Sequence, residues 1–167
     1  MSDYDTGTGH DDTVVAEYSD GTATEATDTN GDGYADSVAV DSDGDGYANA
    51  EYYDENSNGT LDTEVTDSNN DHVADHVYSD TNEDGKVDYA GADLNEDGTV
   101  DHEVYDENYD GVADTAVTDN NYDGRADEWQ QDSNEDGTVD TTVTDTNNDG
   151  TPDTVHYDTN AANPYAS

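Results

Sequence analysis

From Asp28 onward the apolar residues come in short groups at a fixed spacing. The segment DTNGDGYADSVAV (28 to 40) is followed without a gap by DSDGDGYANAEYY, DENSNGTLDTEVT, DSNNDHVADHVYS, DTNEDGKVDYAGA, DLNEDGTVDHEVY, DENYDGVADTAVT, DNNYDGRADEWQQ, DSNEDGTVDTTVT and DTNNDGTPDTVHY. These are ten tiles of 13 residues ending at Tyr157. Positions 1 to 6 of each tile are polar and Gly-bearing, the composition of a turn. Positions 7 to 13 are rich in Val, Thr, Tyr and Ala, too short and too β-branched for a helix, and predict a short strand. No insertion or deletion interrupts the series, so each tile must meet its neighbours in one register, as in stacked-repeat architectures.

Position 8 is small and apolar (Ala35, Ala48, Leu61, Ala74, Val87, Val100, Ala113, Ala126, Val139) until Pro152, and is the column expected to face inward. Tiles also alternate. Odd ones end in Val40, Thr66, Ala92, Thr118 and Thr144, even ones in Tyr53, Ser79, Tyr105, Gln131 and Tyr157. A true period of 26 residues is expected, two strands and two turns per coil. The expected fold is therefore all-β and elongated: a flattened parallel β-solenoid, one sheet lined by small residues and the other by Tyr. An irregular rod and an antiparallel meander, which would also alternate, are the alternatives. Residues 1–27 read as an N-terminal cap with degenerate repeats, Tyr18 to Thr22 forming a turn between two β-rich pieces. Residues 158–167, where Ala162, Asn163 and Pro164 break the pattern, read as a C-terminal cap.

Charge complicates this picture. Against 46 Asp plus Glu stand only Lys86 and Arg125, for a formal charge of −44 on 167 residues, and apolar residues make up 29%. Such a composition ordinarily leaves a chain disordered, because the apolar surface cannot offset the ordering entropy. Here the acids are mostly Asp and evenly spaced, so a neutralising partner is expected instead. Nucleic acid and anionic membranes would be repelled. The absence of Cys removes disulfides, thiolate metal sites and thiol catalysis. MSDYDTGTGH carries no signal-peptide pattern and no apolar run could span a bilayer, which leaves open retention, export by another route, or a fragment of a longer protein.

The polar columns carry the chemistry. Position 1 is Asp28, Asp41, Asp54, Asp67, Asp80, Asp93, Asp106, Asp119, Asp132 and Asp145. Position 3 is Asn30, Asp43, Asn56, Asn69, Asn82, Asn95, Asn108, Asn121, Asn134 and Asn147. Position 5 is Asp32, Asp45, Asn58, Asp71, Asp84, Asp97, Asp110, Asp123, Asp136 and Asp149. Position 9 is Asp36, Asn49, Asp62, Asp75, Asp88, Asp101, Asp114, Asp127, Asp140 and Asp153. All are hard oxygen donors, and position 6 is Gly in nine tiles and His72 in the other. A calcium loop needs oxygens converging from 1, 3 and 5, a sharp turn at 6, a carbonyl at 7 and a further ligand near 9. About ten Ca²⁺ are expected, one per tile. Mg²⁺ suits the pattern less, since it keeps more of its water.

The tile resembles the thrombospondin type 3 and dockerin-like calcium repeats, relatives of the EF-hand loop, over residues 28 to 157. The resemblance implies that Asp28, Asn30, Asp32 and Asp36 are side-chain ligands of the first tile, with the carbonyl of Tyr34. Two departures stand out. Position 12, where an EF-hand has a bidentate Glu, is Ala39, Tyr52, Val65, Tyr78, Gly91, Val104, Val117, Gln130, Val143 and His156. The last ligand is then either the position-9 Asp itself or the position-1 Asp of the next tile. The Cys and variable length of thrombospondin repeats are also missing. The expected solenoid resembles the β-roll of the repeats-in-toxin family in plan, though GGxGxDxUx is absent.

The remaining features read blandly. His10, His72, His76, His102 and His156 share no ligand spacing. Trp129 and the Tyr residues read as sheet-packing groups. Thr pairs at positions 10 and 13 suggest an ice-binding face, but tiles 1 and 5 lack them. Asn58-Gly59-Thr60 matches the N-glycosylation sequon, with Asn58 expected to be buried against metal. No catalytic constellation stands out, so the chain is not expected to be an enzyme. The expectation is a calcium-stiffened rod or spacer, extracellular or at the cell surface on grounds of calcium availability, with self-association or a cell-surface molecule as partner. A calcium buffer or mineral-surface binder is the alternative, and an ice-binding protein the third.

Overall fold

A computed structural model describes residues 12–158. The chain divides into two compact units, one running to Thr81 and the other from Asn82. The first holds β1 (Asp12–Glu17), β2 (Ala23–Asp28), β3 (Ser37–Asp41), β4 (Ala50–Tyr53), β5 (Thr63–Thr66) and β6 (His76–Ser79). The second holds β7 (Tyr89–Ala92), β8 (His102–Tyr105), β9 (Thr115–Thr118), β10 (Glu128–Gln131), β11 (Thr141–Thr144) and β12 (Thr154–Tyr157). Each tile thus contributes a strand at positions 10 to 13 and a loop at positions 1 to 9. The stretch the sequence assigns to a strand is shortened because positions 7 to 9 belong to the loop.

Within each unit consecutive strands pair antiparallel. Val38 lies opposite Tyr52 and Val65 opposite Val77 in the first unit. Trp129 lies between Val117 and Val143 in the second. The expected parallel β-solenoid is therefore corrected to an antiparallel meander. The physical reason is the short strand. Four residues reach only about 13 Å, and the nine-residue loop folds back on itself so that the chain re-enters beside the strand it has left. A parallel connection needs a crossover of a dozen or more residues. The 26-residue alternation reflects strand direction: successive tiles run oppositely, so equivalent positions fall on opposite faces.

The first unit begins as expected. Tyr18 N–H donates to the Thr22 carbonyl at 2.9 Å and Gly21 N–H to the Tyr18 carbonyl at 3.1 Å, closing the turn between β1 and β2. Residues 1–11 and 159–167, including most of the expected caps, lie outside the described residues.

The register sorts side chains onto faces. In the second unit Gly91, Glu103, Val117, Trp129, Val143 and Val155 form the central row of one face, and Ala90, Val104, Ala116, Gln130, Thr142 and His156 that of the other. In the first unit Tyr53 shares a face with Val65, while Tyr52 lies on the opposite face. The expected separation of a small-residue sheet from a Tyr sheet is not found. Nor is a Thr array: residues 10 and 13 of one strand, such as Thr63 and Thr66, point to opposite faces.

No hydrophobic side chain among the described residues is buried. Position 8 is not an inward column, since Leu61, Val87, Val100 and Val139 are exposed. The buried side chains are Asp54, Asp62, Asp67, Asp75, Asp88, Asp93, Asp101, Asp106, Asp114, Asp119, Asp127, Asp132, Asp140 and Asp145, all at positions 1 or 9. Burial is inverted relative to an ordinary domain. The inner strands β2 to β11 are mostly half-buried, β1 and β12 are largely exposed, cross-strand pairs contribute about 0.2–1 kcal/mol each, and the most enclosed groups are carboxylates.

Candidate metal centre

The loop is built by two aspartates. Position 1 faces the loop's own amides: Asp106 Oδ2 accepts from Gly111 N–H at 2.6 Å, and Asp93 takes Glu96 N–H on Oδ1 and Gly98 N–H on Oδ2, both at 2.7 Å. Position 9 closes the loop from the other end. Asp140 Oδ2 accepts from the backbone N–H of Ser133 and Asn134 at 3.0 Å each, and Oδ1 from Asn134 Nδ2 at 2.9 Å. An Asp at each end therefore satisfies donors that a nine-residue turn would otherwise leave unpaired.

Positions 3 and 5 repeat a smaller device. Asn108 Oδ1 accepts from Asp110 N–H at 2.8 Å, and Asp110 Oδ1 from Val112 N–H at 2.9 Å, two successive Asx turns. The chain is then forced left-handed at positions 4 and 6. Position 6 has φ near +90° at its glycines and +75° at His72. Position 4 is left-handed too, at Gly31 and Gly44 but also at Ser57, Asn70, Glu83, Glu96, Tyr109, Tyr122, Glu135 and Asn148, with φ of 57 to 64°. This second left-handed residue escapes the sequence, because Gly marks it in only two tiles.

In the second tile these turns bring three of the predicted ligands together. Asp41, Asp43 and Asp45 each place a carboxylate oxygen within 4.8 Å of one another. The position-5 N–H to position-3 bond recurs at Asp32, Asp71, Asp84, Asp97 and Asp110, where Asn stands at position 3 and offers a neutral amide oxygen in place of a carboxylate. Position 9 is part of the same loop, its oxygens engaged by donors there, as at Asp140. Position 1 of the next tile is not: the intervening strand takes it to the opposite end of the ribbon. Of the two candidates for the last ligand, the position-1 Asp of the next tile is thus remote from the loop, and the backbone links run between alternate tiles. Within each unit the N–H of a position-1 Asp donates to the position-9 carbonyl two tiles earlier: Asp54, Asp67 and Asp80 in the first unit, as from Asp54 to Asp36 at 2.9 Å, and Asp106, Asp119, Asp132 and Asp145 in the second, as from Asp119 to Asp101 at 2.7 Å.

Side chains reinforce that link. The position-7 residue lies over the position-6 glycine two tiles on: Tyr34 over Gly59, Lys86 over Gly111, Val112 over Gly137 and Arg125 over Gly150. Lys86 Nζ also donates to the Asp110 carbonyl at 2.6 Å, so one of the two cations is spent between loops. Where His72 replaces the glycine, its ring stacks on Tyr47 with centroids 3.9 Å apart and Nε2 lies 3.0 Å from Asp45 Oδ2. Far from a bland surface residue, His72 is a joint between loops. That hydrogen bond, with the Asp45 charge, raises the His72 pKa, while the same bond and the Tyr47 N–H lower that of Asp45.

Other carboxylates show the same influence. The Thr29 hydroxyl and N–H lower the Asp36 pKa, and the Ser68 hydroxyl leads in lowering that of Asp75. At Asp132 desolvation opposes ionisation, but N–H donors from Gly137, Asp136, Glu135 and Asn134 together outweigh it. On the strand faces a Glu holds a Tyr proton. Tyr53 donates to Glu51 at 2.5 Å, and that bond, with burial and the Glu51 charge, pushes its pKa up to about 12. Burial, then Glu103, does the same for Tyr89, also to about 12.

No family model matches the chain, and neither a curated protein nor a solved structure matches it significantly.

Proposed function

We propose that the chain is a calcium-binding structural repeat module whose loops hold metal and which acts as a Ca-stiffened rod or spacer outside the cell. The observation that carries this reading is the convergence of Asp41, Asp43 and Asp45 in a loop frame that recurs through the tiles. Hard oxygens at that spacing suit Ca²⁺, and in each loop positions 1, 3, 5 and 9, with the position-7 carbonyl, would hold it. Ten such ions would take the formal charge from −44 to −24. With no buried apolar side chain among the described residues to hold the fold, ions that bind only the folded chain would stabilise it by mass action. The likeness to thrombospondin type 3 and dockerin-like repeats supports the same reading.

A second reading is favoured by the hydrogen bonds themselves. Position-1 and position-9 oxygens already accept amide protons, as at Asp28, where Oδ1 takes Gly31 N–H at 2.6 Å and Oδ2 Gly33 N–H at 2.9 Å. In that reading the aspartates are turn-builders and the ribbon stands without metal. Circular dichroism of the full chain, with Ca²⁺ and after EGTA, separates the two: loss of the β signal on chelation supports the calcium module, and an unchanged signal supports the metal-independent ladder.

A further inference from the structure

The structure assigns a covalent attachment site to Asn58: the side-chain amide accepts a glycan from a diphosphate-activated sugar. Asn58-Gly59-Thr60 is the one Asn-x-Ser/Thr triplet in the sequence. It arises at the only position 5 that is Asn instead of Asp, in a tile that also has Thr at position 7. That single departure turns a carboxylate, which has no nitrogen to form an N-glycosidic bond, into an amide, which has.

The geometry matches the chemistry. Asn58 and Thr60 are both exposed, contrary to the expected burial of Asn58, and they lie in a loop at the ribbon's margin. Asn58 Oδ1 accepts from Thr60 N–H at 2.9 Å, an Asx turn that spans the triplet. This bond draws density from the amide carbonyl, so Nδ2–H becomes a better acid. It also sets the Thr60 residue beside the amide that reacts. Gly59, between them, has φ of +94°, and a Cβ there would fall 2.9 Å from Tyr34 Cγ, so the Tyr34 side chain lies over the triplet.

Transfer would proceed by attack of Asn58 Nδ2 on the anomeric carbon of the donor sugar. A C–N bond forms, the anomeric C–O bond to the diphosphate breaks, the diphosphate departs with the bonding pair, and one amide proton passes to a base of the transferase. The carbonyl Oδ1 survives, and with it the Thr60 bond, so the loop needs no rearrangement. The acceptor is thus compatible with the metal-loop reading but independent of it.

The test is made on the full chain, with an Asn-Gly-Thr tripeptide appended at the C-terminus as internal reference. One arm secretes it through a host that transfers oligosaccharide from a lipid diphosphate. The other coexpresses it with a soluble N-glycosyltransferase that uses a nucleotide diphosphate hexose. Intact mass and peptide mapping give the readout in hosts where the reference sequon is modified. The expected result is a sugar increment on Asn58 in at least one arm, which also identifies the donor, and its complete loss in Thr60→Val. Asp136→Asn, which creates the same triplet with Gly137 and Thr138 in an equivalent turn (Thr138 N–H to Asp136 Oδ1, 3.1 Å), should gain a second increment. Sugar on the appended sequon alone, in both arms, overturns the proposal.

Discussion

Three glycines of the first unit have nearly the same backbone but different surroundings. Gly33, Gly44 and Gly59 have φ of +93, +82 and +94°. An alanine at any of them places Cβ in a conformation costing about 1–2 kcal/mol, partly offset by about 0.4–1 kcal/mol from a stiffer unfolded chain. At Gly33 nothing lies within 4 Å of the added carbon, so Gly33→Ala should cost about 1 kcal/mol. At Gly59 the carbon meets the Tyr34 ring at 2.9 to 3.2 Å, but that residue is 61% exposed and can swing aside. Forfeiting a few ring contacts adds about 0.5 kcal/mol. At Gly44 the carbon falls 2.9 Å from the Gly21 carbonyl carbon and 3.2 Å from its Cα and oxygen. Backbone cannot rotate away, so Gly44→Ala should add an overpacking cost of about 1–3 kcal/mol. Urea unfolding of the full chain at fixed excess Ca²⁺, followed by circular dichroism, should rank Gly33→Ala mildest and Gly44→Ala most severe. Tyr34→Ala should return the Gly59→Ala penalty to that of Gly33→Ala. Equal penalties at Gly33 and Gly44 would refute loop-on-loop packing.

Other perturbations probe the remaining parts of the account. Asp145→Ala removes a 2% exposed carboxylate that accepts Gly150 N–H at 2.7 Å, and should lower the urea midpoint of the second unit. Tyr109→Gly relieves a left-handed residue with φ of 64°, and should raise stability by about 0.5–1 kcal/mol despite the freer unfolded chain. Tyr53 and Tyr89 have folded pKa values raised from 10.0 to about 12. The stability they contribute is therefore full below pH 10.0 and lost as pH rises towards about 12. Spectrophotometric titration should show late-ionising tyrosines, one of which ionises earlier in Glu51→Gln, with burial and the Glu55 charge left in place.

Much of the fold can be read from the tile. Its length, the turn in the first half, the β-branched stretch in the second, and Gly at position 6 all follow from local sterics. Strand direction does not, because a 26-residue alternation is produced equally by a two-tile coil and by a chain that reverses at every tile. Position 8 misleads for a related reason: an apolar column implies a core only where a second layer covers it, and Leu61 and Val100 are exposed. The buried column is acidic instead, since Asp54 or Asp101 can be enclosed once amide protons surround the carboxylate. The candidate ligands were legible by spacing. Their partnership between alternate tiles was not, since it depends on antiparallel strands returning every second loop to the same margin.

Calcium titration of the full chain, by calorimetry with circular dichroism recorded in parallel, tests the proposed function most directly. The account predicts about ten ions per chain and a β signal that grows with occupancy and is lost on EGTA addition. A stoichiometry of one or two, or the same spectrum with and without Ca²⁺, would contradict it.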